Sequence, residues 1–180
     1  MEKINFTEKQ VLKIKVQLDW MSPSNYRTFL LSSKETFYDL HKYIQNHFWF
    51  DGWHLWNFDT HIWEIWDEWK KPEKVVLWKV FSEKWIKINY CYDYWDNWNF
   101  TITCQGIEQD DWKKEVPQLL KTQWTYLLED SGWIWGFAEY LEDYNNNRFN
   151  DDLFDNNEDF REYMESCFKE VTFFNHHKES

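Results

Sequence analysis

Glycine is scarce in this chain, with 4 in 180 residues, where average usage near 7% predicts roughly a dozen. Turns that need a left-handed backbone therefore have few residues suited to them. Arginine is confined to Arg27, Arg148 and Arg161, too few for the arginine-framed serine chemistry of a recombinase. Cys91, Cys104 and Cys167 are an odd number of thiols without the paired spacing of a zinc site or a disulfide framework. No window approaches the roughly 18 uncharged apolar residues of a membrane span, and Met1 to Asn5 holds no apolar signal core. A cytoplasmic protein is expected, without a membrane partner. Also missing are a glycine-rich phosphate loop, Gly-x-Ser-x-Gly, His-Glu-x-x-His and Cys-x-x-Cys. Nucleophilic catalysis has no obvious candidate.

Acid and tryptophan are abundant instead. The formal net charge is -12, so the average surface repels phosphate backbones and anionic lipids, and a nucleic-acid partner is not expected. The densest basic run, Trp69-Lys70-Lys71-Pro72-Glu73-Lys74, is interrupted by acid and reads as a solvated loop. The length suits one domain with an appended helical tail.

Val11 to Leu18 alternates, with Leu12, Ile14, Val16 and Leu18 on one face and Lys13, Lys15 and Gln17 on the other, the pattern of a half-buried strand. Asp19 to Asn25 has turn composition, and Tyr26 to Leu31 completes a hairpin. Thr36 with Asp39 three residues on is a variant capping box. Phe37, Leu40, Ile44 and Phe48 follow at helical spacing, predicting a helix over 36–48 with His41 and Gln45 on one face. Beyond the Phe50-Asp51-Gly52 turn, His54 to Phe58 is a short strand. Residues 60–74 read as loop or short helix, and 75–81 fit helix and strand equally. Ile86 to Tyr92 and Trp98 to Cys104 alternate about a turn at Asp93 to Asn97, making a second hairpin. Residues 117–130 read largely as loop. Ile134 to Tyr144 reads as a helix after the Ser131-Gly132-Trp133 turn, and Phe160, Met164 and Phe168 mark another amphipathic helix before a polar tail. This order predicts an α+β fold: a mixed sheet of two hairpins gripping the first helix, β-grasp-like, with helices at the carboxyl end.

Six short motifs stand out in sequence order: Pro23; Tyr26-Arg27; Leu40-His41-Lys42-Tyr43-Ile44-Gln45; His54-Leu55-Trp56-Asn57-Phe58; Tyr92-Asp93-Tyr94-Trp95-Asp96-Asn97-Trp98-Asn99-Phe100-Thr101-Ile102; and Glu129-Asp130-Ser131-Gly132-Trp133-Ile134-Trp135-Gly136-Phe137. Each is weak alone, but their shared order resembles the plasmid pRiA4b ORF-3-like family over about Val11 to Leu141. Members of that family are also described as insertion-element passengers and labelled resolvase-like. The resemblance implies a family domain over 1–144, leaving 145–180 as acidic linker, amphipathic helix and polar tail. Phe100 stands where the family has histidine, and no cysteines flank Glu129-Asp130 as in many relatives.

Trp95 and Trp133 stand where the family pattern has glycine, and Trp20, Trp49 and Trp124 match glycine positions in the same way. A bulky residue adopts a glycine turn conformation only at a cost of order 1 kcal/mol. Several of these tryptophans are therefore expected to be glycines encoded by UGA and translated with another code, with Trp53, Trp63, Trp78 and Trp85 as further candidates. The rival is a divergent, tryptophan-rich member. Trp98 and Trp135 fall on family tryptophan positions and remain in either case.

The candidate pocket comprises His41, His54, Asp93, Asp96, Glu129 and Asp130, with Trp98 and Trp135 as aromatic walls. If the two acidic segments converge, the carboxylates raise one another's pKa and can hold a divalent cation, the one cofactor that the residues suggest, or act as an acid/base pair. The alternative is structural: Asp93, Asp96 and Asp130 cap turns and helix ends, and His41 is hydrogen-bonded at the rim of the core. Two functions follow. The first is a non-enzymatic binding or accessory module of the mobile-element type, meeting a protein or peptide partner. The second is a metal-dependent enzyme using Asp93, Asp96, Glu129 and Asp130.

Overall fold

The computed structural model describes residues 10–21, 24–66, 71–109, 115–123, 127–149 and 154–176, with side chains described as far as Ser166. Pro23, Trp124, His177 and the first two residues of the basic run, Trp69 and Lys70, lie outside the described residues.

Strand β1 (Gln10–Leu18) pairs with β2 (Tyr26–Ser32) as the alternation requires, its apolar positions buried and Lys13, Lys15 and Gln17 facing out. Helix α1 (Phe37–Phe48) begins at the expected cap. Thr36 Oγ1 accepts from the Asp39 N–H at 3.1 Å, and the Asp39 carboxylate accepts from the Thr36 N–H at 3.0 Å, so two amides orphaned at the helix start find partners. Next come β3 (Trp56–Asp59) and the two-residue β4 (Glu64–Ile65), then short 3-10 turns at Pro72–Lys74 and Leu77–Lys79, which resolve the ambiguous 75–81 stretch. The second hairpin is β5 (Lys87–Tyr92) and β6 (Trp98–Gln109). Helices α2 (Trp133–Asn145) and α3 (Asn157–His176) complete the chain.

The fold is α+β, and with β7 (Gln118–Gln123) one seven-stranded sheet runs in the order β4-β3-β5-β6-β1-β2-β7. Its pairings depart from the mixed sheet expected of a β-grasp arrangement, because every one is antiparallel. The two hairpins dock through β1 against β6, which run in opposite directions, and among the described residues no crossover returns a strand in parallel. Two strands also fall outside the expected elements: the two-residue β4 within the 60–74 stretch read as loop or short helix, and β7 within the stretch read largely as loop, added to the sheet edge beside β2.

The core lies between the sheet and the helices. Phe48 and Phe100 meet edge to face with ring centres 4.8 Å apart, and Phe37 meets Phe58 at 5.0 Å. Each such buried aromatic contributes about 1.5–3 kcal/mol. Arg27 enters this core with 1% of its surface exposed, its guanidinium 4.4 Å from the Phe48 ring. It donates to the His47 carbonyl and Asn25 Oδ1, both at 2.8 Å, and to the Gln123 carbonyl at 3.2 Å, so one side chain ties α1 to β2 and β7. Phe160 and Met164 of α3 are buried in the same core cluster. The helix runs on to His176, well into the segment read as a polar tail.

Candidate functional site

Three segments meet beyond the β5–β6 turn: the loop after α1, the turn itself, and the segment leading into α2. Asp93 has a left-handed backbone, φ 55°, a conformation that Asp tolerates better than most residues. Its N–H donates to the Leu55 carbonyl, and its Oδ1 accepts from the Trp95 N–H, both at 2.9 Å, which closes the turn locally. The other carboxylate oxygen, Oδ2, then faces His54 Nδ1 at 3.5 Å. On the far side of the imidazole, Asp130 Oδ1 lies 3.9 Å from Nε2.

Glu129 joins from the same segment. Its Oε1 accepts from the Tyr92 hydroxyl and its Oε2 from the Asp51 N–H, both at 2.6 Å. Burial pushes the Glu129 carboxyl above its ordinary range, as desolvation disfavours the charged form. The Tyr92 phenol is raised in turn, first by burial and then by bonding to Glu129. Asp96 is buried where the hairpin turn meets the start of α2, its carboxylate facing the backbone N–H groups of Trp133 and Gly132. An acid at a helix amino terminus is favoured by the helix dipole. Burial, followed by the charges of Asp93 and Asp130, raises its pKa. Asp96 Oδ2 is buried without a hydrogen-bond partner among the described residues.

Five of the expected residues are thus brought together: His54, Asp93, Asp96, Glu129 and Asp130. Three are not. His41 is buried under the sheet, its Nδ1 2.8 Å from the Tyr90 hydroxyl and its ring stacked 3.9 Å from that of Trp56. Trp98 lies in the core against Phe50 and Phe137. Trp135 projects from α2, mostly exposed, edge-on to Trp133. A cavity of about 490 Å³ is walled instead by Trp53, His54, Leu55, Asp93, Tyr94 and Trp95. Asp51 and Tyr92 were not among the candidate pocket residues, although each lies in a segment that the sequence marks, the Phe50-Asp51-Gly52 turn and the motif beginning Tyr92-Asp93. Two groups, Asp51/His54/Glu129 and His54/Asp93/Asp130, each hold their donor atoms within 4.8 Å of one another. Carboxylate oxygens with one imidazole suit a hard or borderline divalent cation.

A profile of the plasmid pRiA4b ORF-3-like protein family matches residues 10–177. The chain belongs to that family. The family match takes in α3, beyond the 11–141 span of the motifs. The fold is similar to the crystal structure of a protein of unknown function, MM3350 from Methanosarcina mazei Go1, with TM-score 0.70 and 24% identity over 88% of this chain and 90% of that chain. No curated protein matches the chain. No helix among the described residues is long and apolar enough to cross a membrane.

Proposed function

We propose that this family member is a non-enzymatic cytoplasmic binding module, accessory to a plasmid or insertion element. Its acidic pocket captures a basic side chain from a protein or peptide partner. What supports this is the convergence of Asp51, Asp93, Glu129 and Asp130 on His54 beside a cavity large enough for a lysine or arginine side chain. Part-buried carboxylates attract a cation more strongly than the same charges in open water, and charge complementarity of this kind selects partners and speeds encounter. The net charge of -12 favours a basic peptide over a phosphate backbone.

The donor spacing supports a second reading, a divalent cation held by His54, Asp93 and Asp130, which would polarise a bound oxygen for a metal-dependent reaction. Calorimetric titrations with lysine- and arginine-rich peptides, and separately with Mn²⁺, Mg²⁺ and Zn²⁺, distinguish the two. Peptide binding that weakens at least about tenfold in Asp130→Asn, an exposed position, supports the first. Metal heat that disappears in the same variant supports the second. No heat from either ligand class refutes both.

A further inference from the structure

Trp20, Trp49, Trp85 and Trp133 all have a left-handed backbone, with φ of 64, 71, 72 and 70°. A β-carbon in that region crowds the following carbonyl oxygen, so glycine occupies it freely and Asn or Asp occasionally. The other left-handed non-glycine residues among those described keep to this rule: Asp93, Asn97, Asp130 and Asn147. Tryptophan does not.

Each of the four sits where the path of the chain dictates the backbone. Trp20 follows the end of β1. Trp49 is the C-cap of α1, its N–H closing onto the Gln45 carbonyl, a position usually filled by glycine. Trp85 comes just before β5, its N–H bonded to the Cys104 carbonyl at 2.7 Å. Trp133 follows Gly132, which is itself left-handed at φ 75°.

Packing does not compensate. The four residues are 83, 42, 67 and 36% exposed in chain order, although Trp49 does lie against Tyr163 and Trp133 against Trp135. Trp98, by contrast, is 1% exposed, and Trp56 is stacked on His41. Among the described residues, Trp56 and Trp98 are thus packed against neighbouring rings, whereas Trp20, Trp49, Trp85 and Trp133 sit at turns with glycine geometry.

We propose that the protein made in its own cell carries glycine at positions 20, 49, 85 and 133. These codons would be UGA in a genetic code that reads UGA as glycine, while Trp56 and Trp98 are encoded by UGG. The scarcity of glycine and the excess of tryptophan then have one cause. Trp53 and Trp95, 87 and 94% exposed, lack the left-handed backbone and stand outside the set, since exposure alone does not separate them from Trp135, 66% exposed on α2. Codons and backbone angles decide the matter without any ligand, so it stands or falls separately from the capture of a basic side chain.

The test is to read the codons and to weigh the corresponding peptides from native protein by mass spectrometry. UGA at all four positions with peptides of glycine mass is the expected result. UGG at any of the four, or peptides of tryptophan mass, overturns the proposal. A physical test uses two synthetic genes, one encoding tryptophan and one glycine at positions 20, 49, 85 and 133. The glycine chain is expected to melt about 5–15 °C higher, once relieved strain is offset by glycine's greater entropy loss on folding. An equal or lower Tm counts against it.

Discussion

Lowering the pH from 7.5 to 5 protonates His41 in the unfolded chain but not in the folded one. In the fold, burial pushes the imidazole from its ordinary 6.5 down to about 4, with the nearby charge of Lys42 acting in the same direction. The Tyr90 hydroxyl and the Trp56 ring, which it touches, offer no negative charge to hold a proton. Because the folded value lies below the unfolded one, the unfolded state binds more protons between them. Stability is therefore full above about pH 6.5 and is lost as the pH falls towards 4. A shift of this size corresponds to about 3 kcal/mol in full, of which about 2 kcal/mol is gone by pH 5. His47, pushed to about 4 by burial and then by Arg27, adds to the loss. Asp19, Glu35, Asp96 and Glu129, whose carboxyls are raised, oppose it by taking up protons in the folded state. The net slope is thus a difference, and a variant isolates one contributor. Urea unfolding of the parent chain and of His41→Gln at both pH values should show the variant losing about 2 kcal/mol less on acidification. Equal losses in the two chains would refute the assignment of a neutral, buried His41.

Thr36→Ala removes the side-chain half of the α1 capping box and should cost about 1 kcal/mol, read as a fall in Tm of about 2–4 °C for a chain of this size; no shift would mean that α1 is held by packing alone. Arg27→Met keeps the bulk over Phe48 but leaves the His47 and Gln123 carbonyls and Asn25 without their guanidinium donor. A loss of about 3–5 kcal/mol is expected in urea unfolding, and a loss under about 1 kcal/mol would show that these acceptors find water instead.

Residues with a strong local signal could be read from the sequence. Thr36 and Asp39 carry the α1 cap in their spacing, and the alternation of β1, β5 and β6 sets which side chains face the core. Strand β7 has no such pattern: Leu119 and Leu120 are adjacent and half-buried, while the residue it buries is Thr122. An edge strand can take its place from backbone pairing with β2 alone. The acidic half of the site was legible because Asp93, Asp96, Glu129 and Asp130 belong to turn motifs. Trp98, expected as a pocket wall, lies in the core, and His41 takes the hydrogen-bonded core position that was its alternative, because periodicity gives a residue's face but not its depth. Tyr92 shows the converse. Its ring belongs to the core face, as alternation requires, while its hydroxyl reaches out to Glu129, and only the fold places that atom in the site.

The order of the sheet also sets a timetable. The central β1–β6 ladder joins residues roughly 80–100 positions apart, the kind of long-range pairing that slows folding. On a ribosome adding about 5–20 residues each second, the β1–β2 hairpin would wait several seconds with the β1 edge bare before β6 emerges. During that interval Leu12, Ile14 and Val16 have no sheet partner on that side, and the nascent chain is at its most vulnerable to pairing with a neighbour.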